Sequence, residues 1–309
     1  MTKEIINTYV KGESLNFKNL KLGKRRLQKT SRIIFVGAGA CYSKALAGAG
    51  AFESLTDILI SAYPAGEFRF SPTKVDSGTL LFAIAEGEEN DTVACIKRVK
   101  AVGGRVISVC TNEESTVATT ADVNLNPVSN GFSEVTLVLT LLAVYVGARA
   151  GMVSSLYQSV AIRMADMLAG KIAFASKYNS ALDEIKAVID NANGVIACGR
   201  GADYAAAVEL SDYCGVTPCY ISELVGMRLE NKTILAFISG KDYLDELLFY
   251  LNTGADSGAD VLIITTDEVA EEINNPNGIV AVSGSLPIFN PIVLCEAVNS
   301  ALKIEQLAV

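Results

Sequence analysis

The sequence predicts an α/β chain built as two tandem doubly wound parallel-sheet units, and three observations predict it. Short apolar runs alternate with helix-like stretches, the pattern of a parallel sheet wrapped by helices. The phrase "IIFVGAGACYSKALAG" (33–48) returns as "VIACGRGADYAAAVEL" (195–210). In it Gly37, Gly39, Ala40, Tyr42 and Ala45 reappear in register as Gly199, Gly201, Ala202, Tyr204 and Ala207, which suggests a duplicated domain. The length of 309 residues suffices for two domains of about 150 residues, each with its own core.

The elements follow in order. "RIIFVGAG" (32–39) reads as the first strand, broken by glycines, with "CYSKALAGAGAFESL" (41–55) as the helix behind it. "TDILISAYPAGEF" (56–68) supplies a second strand and "GTLLFAIAEG" (78–87) a third. The helix "NDTVACIKRVKAVGG" leads to a fourth strand, "RVISVCTNE", and "ADVNLNPV" is a weaker fifth. A long apolar helix is expected from about Ser133 to Gly151. The second half repeats the order with "GVIACGRG", a helix to about Gly215, "TPCYISEL", "KTILAFISG", the helix "DYLDELLFYLNTGADSGA", "DVLIITTDE" and "NGIVAVSG". A C-terminal helix closes the chain. The expected domains are a helical N-terminal lead-in (1–30), a first unit (31–151), a helical connector (152–192) and a second unit with the C-terminal helix (193–309).

Composition narrows the chemistry. The net charge of −8 argues against nucleic acid as a partner, because phosphate backbones attract Lys and Arg. The basic run "KNLKLGKRRLQK" (18–29) reads as a solvated face. No uninterrupted apolar run reaches the roughly 18–20 residues of a membrane span, and the N-terminus lacks a secretory layout, so a cytoplasmic protein is expected. The seven cysteines form no C-x-x-C pair and read as buried free thiols. The chain has no histidine, which closes any mechanism needing its own imidazole. Neither a metal nor a cofactor is expected.

Glycines after a first strand let the backbone turn sharply, and the helix N-terminus that follows favours an anion. The last glycine of a dinucleotide fingerprint would fall at Tyr42 and Tyr204, so a nicotinamide or flavin cofactor fits poorly.

These motifs together resemble the two-domain sugar isomerase (SIS) family. "AGEFRF" (65–70), "GTLLFAIAEGEENDT" (78–92) and "GRGADYAAAVE" (199–209) are similar to family segments in the family's order. The resemblance implies a flavodoxin-type three-layer αβα arrangement, a homodimer and a sugar-phosphate ligand. It places candidate ligand contacts at Gly37, Gly39, Ala40, Cys41 and Lys44, at Glu86, Gly87, Glu88, Asn90 and Thr92, at Ser129 and Ser133, and at Arg200 and Arg228. Glu67 and Arg69 are candidates for an ion pair or an interface contact, while Asn130 and Glu134 flank the long helix.

Several positions depart from the family. Ala40-Cys41 stands where the family carries Thr-Ser, and the serine loop is "AEGEEND", with Ala85 and Gly87 in place of serines. Val216 occupies the position of the family's catalytic carboxylate, and Leu229 that of its ring-opening histidine. Glu230 is the remaining candidate base. The expectation is a phosphosugar-binding protein with degenerate isomerase, deaminase or deglycase machinery. The alternative is a non-catalytic regulatory or interaction subunit that keeps the scaffold for dimerisation.

Overall fold

Each apolar run becomes a strand in one of two five-stranded parallel sheets. The computed structural model describes residues 2–12, 14–178, 181–214, 216–273 and 278–303. The chain divides into two units, Met1–Asp166 and Met167–Val309.

The first unit opens with α1 (Thr2–Tyr9), a small antiparallel pair β1 (Val10–Lys11) and β2 (Ser14–Leu15), and the single turn α2 (Lys24–Leu27). The lead-in is therefore not purely helical. It is fastened by its apolar residues: Ile5, Phe17, Leu20, Leu22 and Leu27 are buried, whereas the lysines of the basic run face solvent. The rings of Tyr9 and Phe17 stack at 4.8 Å, and Tyr9 Oη donates to the Asn126 carbonyl at 2.7 Å.

The sheet of this unit contains β3 (Arg32–Gly37), β4 (Leu59–Pro64), β5 (Thr79–Ile84), β6 (Arg105–Val109) and β7 (Val123–Leu125) in the order β4-β3-β5-β6-β7. Every residue of β5 is buried, as an interior strand of a sheet covered on both faces requires. Around it run α3 (Cys41–Leu55), α4 (Ala65–Phe68), α5 (Asn90–Ala101), α6 (Thr116–Thr120), α7 (Phe132–Ala150) and the start of α8 (Ser155–Tyr178). Phe35, Phe52 and Phe82 form one aromatic cluster, with centroids 4.8–5.4 Å apart. Helices α3 and α7 meet at Gly48, where an added Cβ would lie 2.6 Å from Leu139 Cδ1.

The 19 residues of α7 reach the length and hydropathy of a membrane span, which no uninterrupted apolar run in the sequence suggests. Its most apolar window is 83% buried inside the protein, so its hydrophobicity is spent on the core.

The second unit holds α9 (Ala181–Asn191), β8 (Val195–Gly199), α10 (Ala202–Cys214), β9 (Thr217–Tyr220), β10 (Thr233–Ile238), α11 (Leu244–Asp256), β11 (Asp260–Thr266), α12 (Asp267–Ala270), β12 (Gly278–Val282) and α13 (Asn290–Lys303). Its strand order is β12-β11-β10-β8-β9. By chain position, both sheets run second, first, third, fourth, fifth, a flavodoxin-like order.

Candidate functional site

In a sheet of this order the neighbours of the first strand lead away on opposite sides, and ligands bind beyond the carboxyl ends of the strands at that reversal. In the first unit the reversal lies between β3 and β5. The backbone there is shaped by two glycines with different duties. A Cβ on Gly37 would sit 2.2 Å from the Cys41 carbonyl oxygen, whereas Gly39 has open space but a φ of +52°. The second unit repeats both duties. A Cβ on Gly199 would lie 2.5 Å from the Asp203 carbonyl carbon, and Gly201 has a φ of +56°.

Beyond the glycine turn of the first unit, Ala40 precedes α3 without offering a side-chain cap. Cys41 is buried, and burial first, then the carboxylates of Glu86 and Glu89 against the opposing pull of Lys44, leaves its thiol at about 12. The thiol is neutral and has a packing environment. Lys44, the cation nearest the turn in sequence, is only 2% exposed and its Nζ lies 3.4 Å from Glu86 Oε1. The carboxylate of Glu86 is half exposed, so the pair sits at the surface end of the lysine.

The acidic turn after β5 folds onto itself. Glu89 Oε1 accepts from the Glu86 amide at 2.7 Å, and both Glu89 oxygens accept from the Gly87 amide at 3.2–3.3 Å. Two successive backbone amides facing one carboxylate form an anion-binding concavity. Glu88 turns the other way, where its Oε1 accepts from the Thr116 amide at 2.9 Å. Hydrogen bonding with the Thr116 side chain first, and with its amide second, holds the Glu88 carboxyl below the usual range. Asn90 is exposed, and the Thr92 side chain is fully buried with its hydroxyl unpartnered. Asp91 pairs with Arg69, whose guanidinium also stacks on Phe70 at 4.6 Å; Glu67 is exposed in α4.

Along the same carboxyl edge, Asn130 Oδ1 accepts from Thr111 Oγ1 at 3.1 Å, and Ser129 Oγ accepts from the Gly131 amide at 3.4 Å. The Ser133 hydroxyl is buried and unpartnered, and Glu134 is buried in the first turn of α7, where it suits the helix dipole. Val128 adopts a φ of +73°, a left-handed backbone rare for a β-branched residue. Thus Gly37 to Lys44, Ala85 to Thr92, and Ser129 to Ser133 all follow carboxyl ends of strands in one sheet.

In the second unit Arg200 lies in the glycine turn but stacks on the Tyr243 ring at 4.0 Å. Glu230 is exposed in the turn before β10, at the amino end of the sheet. Its neighbours confirm the end: the Asn231 amide donates to the Gly258 carbonyl and Lys232 Nζ to the Asn193 carbonyl. Arg228 is exposed on the same segment, Leu229 is 3% exposed within the core, and Val216 is buried. Within their own unit, Glu230 and Arg228 are therefore not brought to the glycine turn.

Asp203 was not picked out by the motifs. It lies in the first turn of α10, is 9% exposed, and its Oδ2 accepts from the Ser239 amide at 2.9 Å. Burial outweighs that hydrogen bond and raises its carboxyl to about 6. The available signal was periodicity: Asp203, Ala206, Ala207 and Leu210 fall on one helical face, and all four are buried.

Comparison with known proteins bears on the domain and the fold. Residues 26–146 match the model of the SIS domain. Over 201 residues, 62% of this chain, the sequence is 27% identical to a glutamine–fructose-6-phosphate aminotransferase [isomerizing] of Caldanaerobacter subterraneus, covering 33% of it. The same-named protein of Clostridium tetani is 31% identical over 112 residues, 36% of this chain and 18% of that one. The chain thus spans a third or less of these curated relatives. The solved C-terminal domain of glucosamine-fructose-6-phosphate aminotransferase from Francisella tularensis shares the fold, with a TM-score of 0.85 at 18% identity, covering 98% of this chain and 92% of that one. Residues 26–146, in the first unit, thus match the SIS domain, the family that the sequence motifs resemble.

Proposed function

We propose that this protein binds a carbohydrate derivative and carries no complete proton-transfer apparatus for sugar-phosphate isomerisation or deamination. The observation that supports this reading is the closure of the amide concavity after β5 by the chain's own Glu89. A phosphate ester seeking those amides must displace a carboxylate, and Lys44 is already engaged by Glu86. At ~5 Å and an effective dielectric near 20, a carboxylate repels a phosphate dianion by several kcal/mol. Each hydroxyl contact missing at Ala40, Ala85 and Gly87 removes a further ~1.5–3 kcal/mol. The absence of histidine and the apolar side chains at Val216 and Leu229 support the loss of chemistry.

Calorimetric titration with fructose 6-phosphate and glucosamine 6-phosphate, beside NMR detection of turnover, tests the proposal. Weak or absent phosphate-ester binding and no conversion are expected. Conversion of either compound by the purified chain overturns it.

A second reading, an interaction subunit that dimerises through the scaffold, is supported by Phe70. This ring is 77% exposed beneath the Arg69 guanidinium. Sedimentation analysis of the chain and of Phe70→Ser distinguishes the two: a dimer that the substitution dissociates favours the second reading.

A further inference from the structure

The reversal point of the second unit carries a polar arrangement outside the reading given for the first. It lies between β8 and β10, and Asp203 bridges it from the first turn of the 13-residue helix α10 to the residue just past β10. While Oδ2 accepts from the Ser239 amide, Oδ1 is buried and meets no partner. The polar line continues across the edge. The Ser239 carbonyl accepts from Asn290 Nδ2 at 3.0 Å, and Asn290 Oδ1 accepts from the Ser285 amide at 2.6 Å. Ser285 Oγ is again buried and unpartnered. A line with two buried oxygens unmet, at the place where this fold binds ligands, points to a ligand that supplies hydrogen-bond donors.

The chemistry selects among ligands. A carboxylate oxygen repels phosphate, and Arg200, the cation in the turn, spreads its guanidinium on the exposed ring of Tyr243. A metal ion needs several charged ligands, and no group of three metal-ligating side chains occurs among the described residues. Uncharged hydroxyl groups fit: they donate to Asp203 Oδ1 and exchange hydrogen bonds with Ser285 Oγ. We propose that the carboxyl edge at the reversal point of the second unit is a binding subsite for an uncharged sugar or polyol, held by a ligand hydroxyl donating to Asp203 Oδ1.

Saturation-transfer NMR on the full chain, with D-glucose and D-glucitol as probes, tests this. Transfer to both is expected, and Asp203→Asn should weaken binding by about tenfold or more, since its amide nitrogen replaces the free acceptor. The asparagine oxygen still accepts from the Ser239 amide, so the fold is retained; Ser285→Ala provides a second, independent loss. Absence of transfer at high millimolar concentration, in which case ordered water alone meets the oxygens, overturns the proposal. So does equal binding by Asp203→Asn, or a preference for glucose 6-phosphate or glucosamine over glucose. Turnover of a phosphate ester would overturn the reading of the first unit and leave this result untouched.

Discussion

Replacing Asp203 by asparagine should change how stability depends on pH. Burial raises this carboxyl from its usual 3.8 to about 6, against the lowering effect of the Ser239 hydrogen bond. A carboxyl whose folded value lies above its unfolded value favours the fold while protonated. That contribution is complete below pH 4 and is lost as pH rises through 6. A rise of this size corresponds to about 3 kcal/mol over the full window, and about half of it falls between pH 5 and 8. Asparagine cannot ionise, yet its oxygen can still accept from the Ser239 amide. The variant should therefore gain stability relative to the parent as pH rises, by about 2–4 °C in Tm for each kcal/mol. Urea or thermal denaturation of both proteins at closely spaced pH values measures the difference directly, and all other titrating groups cancel in it. Parallel pH curves, or a variant that loses stability relative to the parent toward pH 8, would refute the reasoning.

Four other outcomes follow from the geometry. Gly37→Ala drives a Cβ into backbone at 2.2 Å and should cost ~3–5 kcal/mol, whereas Gly39→Ala, strained only by its φ of +52°, should cost ~1–2 kcal/mol by chemical denaturation. Glu89→Ala frees the amides of Glu86 and Gly87; inorganic phosphate should bind this variant more tightly than the parent in calorimetry, at a stability cost of ~1 kcal/mol. Glu86→Gln leaves the buried Lys44 ammonium without its carboxylate, so it should destabilise more than Lys44→Met, which leaves the half-exposed Glu86 to water. Burial pushes the Cys41 thiol up to about 12 and the Cys198 thiol well above its ordinary value, so site-resolved mass spectrometry should find both unalkylated at pH 8 until the chain unfolds.

Much of the fold was legible because its signals are local and repeated. The helix read at 41–55 is α3, and the buried runs 79–84 and 233–238 are the interior strands β5 and β10. The missed elements α4, α6 and α12 are four or five residues long, too short to show a period. Their turns are fixed by contacts such as Ser115 Oγ accepting from the Ala118 amide. The site was legible in its residues and not in its pairings. The acidic turn was visible as a crowd of charge, but its destinations were not. Lys44 meets Glu86 across 42 positions, and Glu88 reaches Thr116 across 28. Glu230 shows the converse limit: adjacency to a family motif said nothing about which end of the sheet the turn occupies.

The position of α7 in the chain bears on how the first unit can be made. This helix completes the packing of α3 at Gly48, yet it is synthesised after all five strands of its sheet. A fragment ending before Phe132 would present the α3 face bare, with Leu139 and its neighbours missing, and would be prone to clump. Expression of the first unit in isolation should therefore extend beyond Ala150, and nascent chains should remain chaperone clients until that stretch leaves the ribosome.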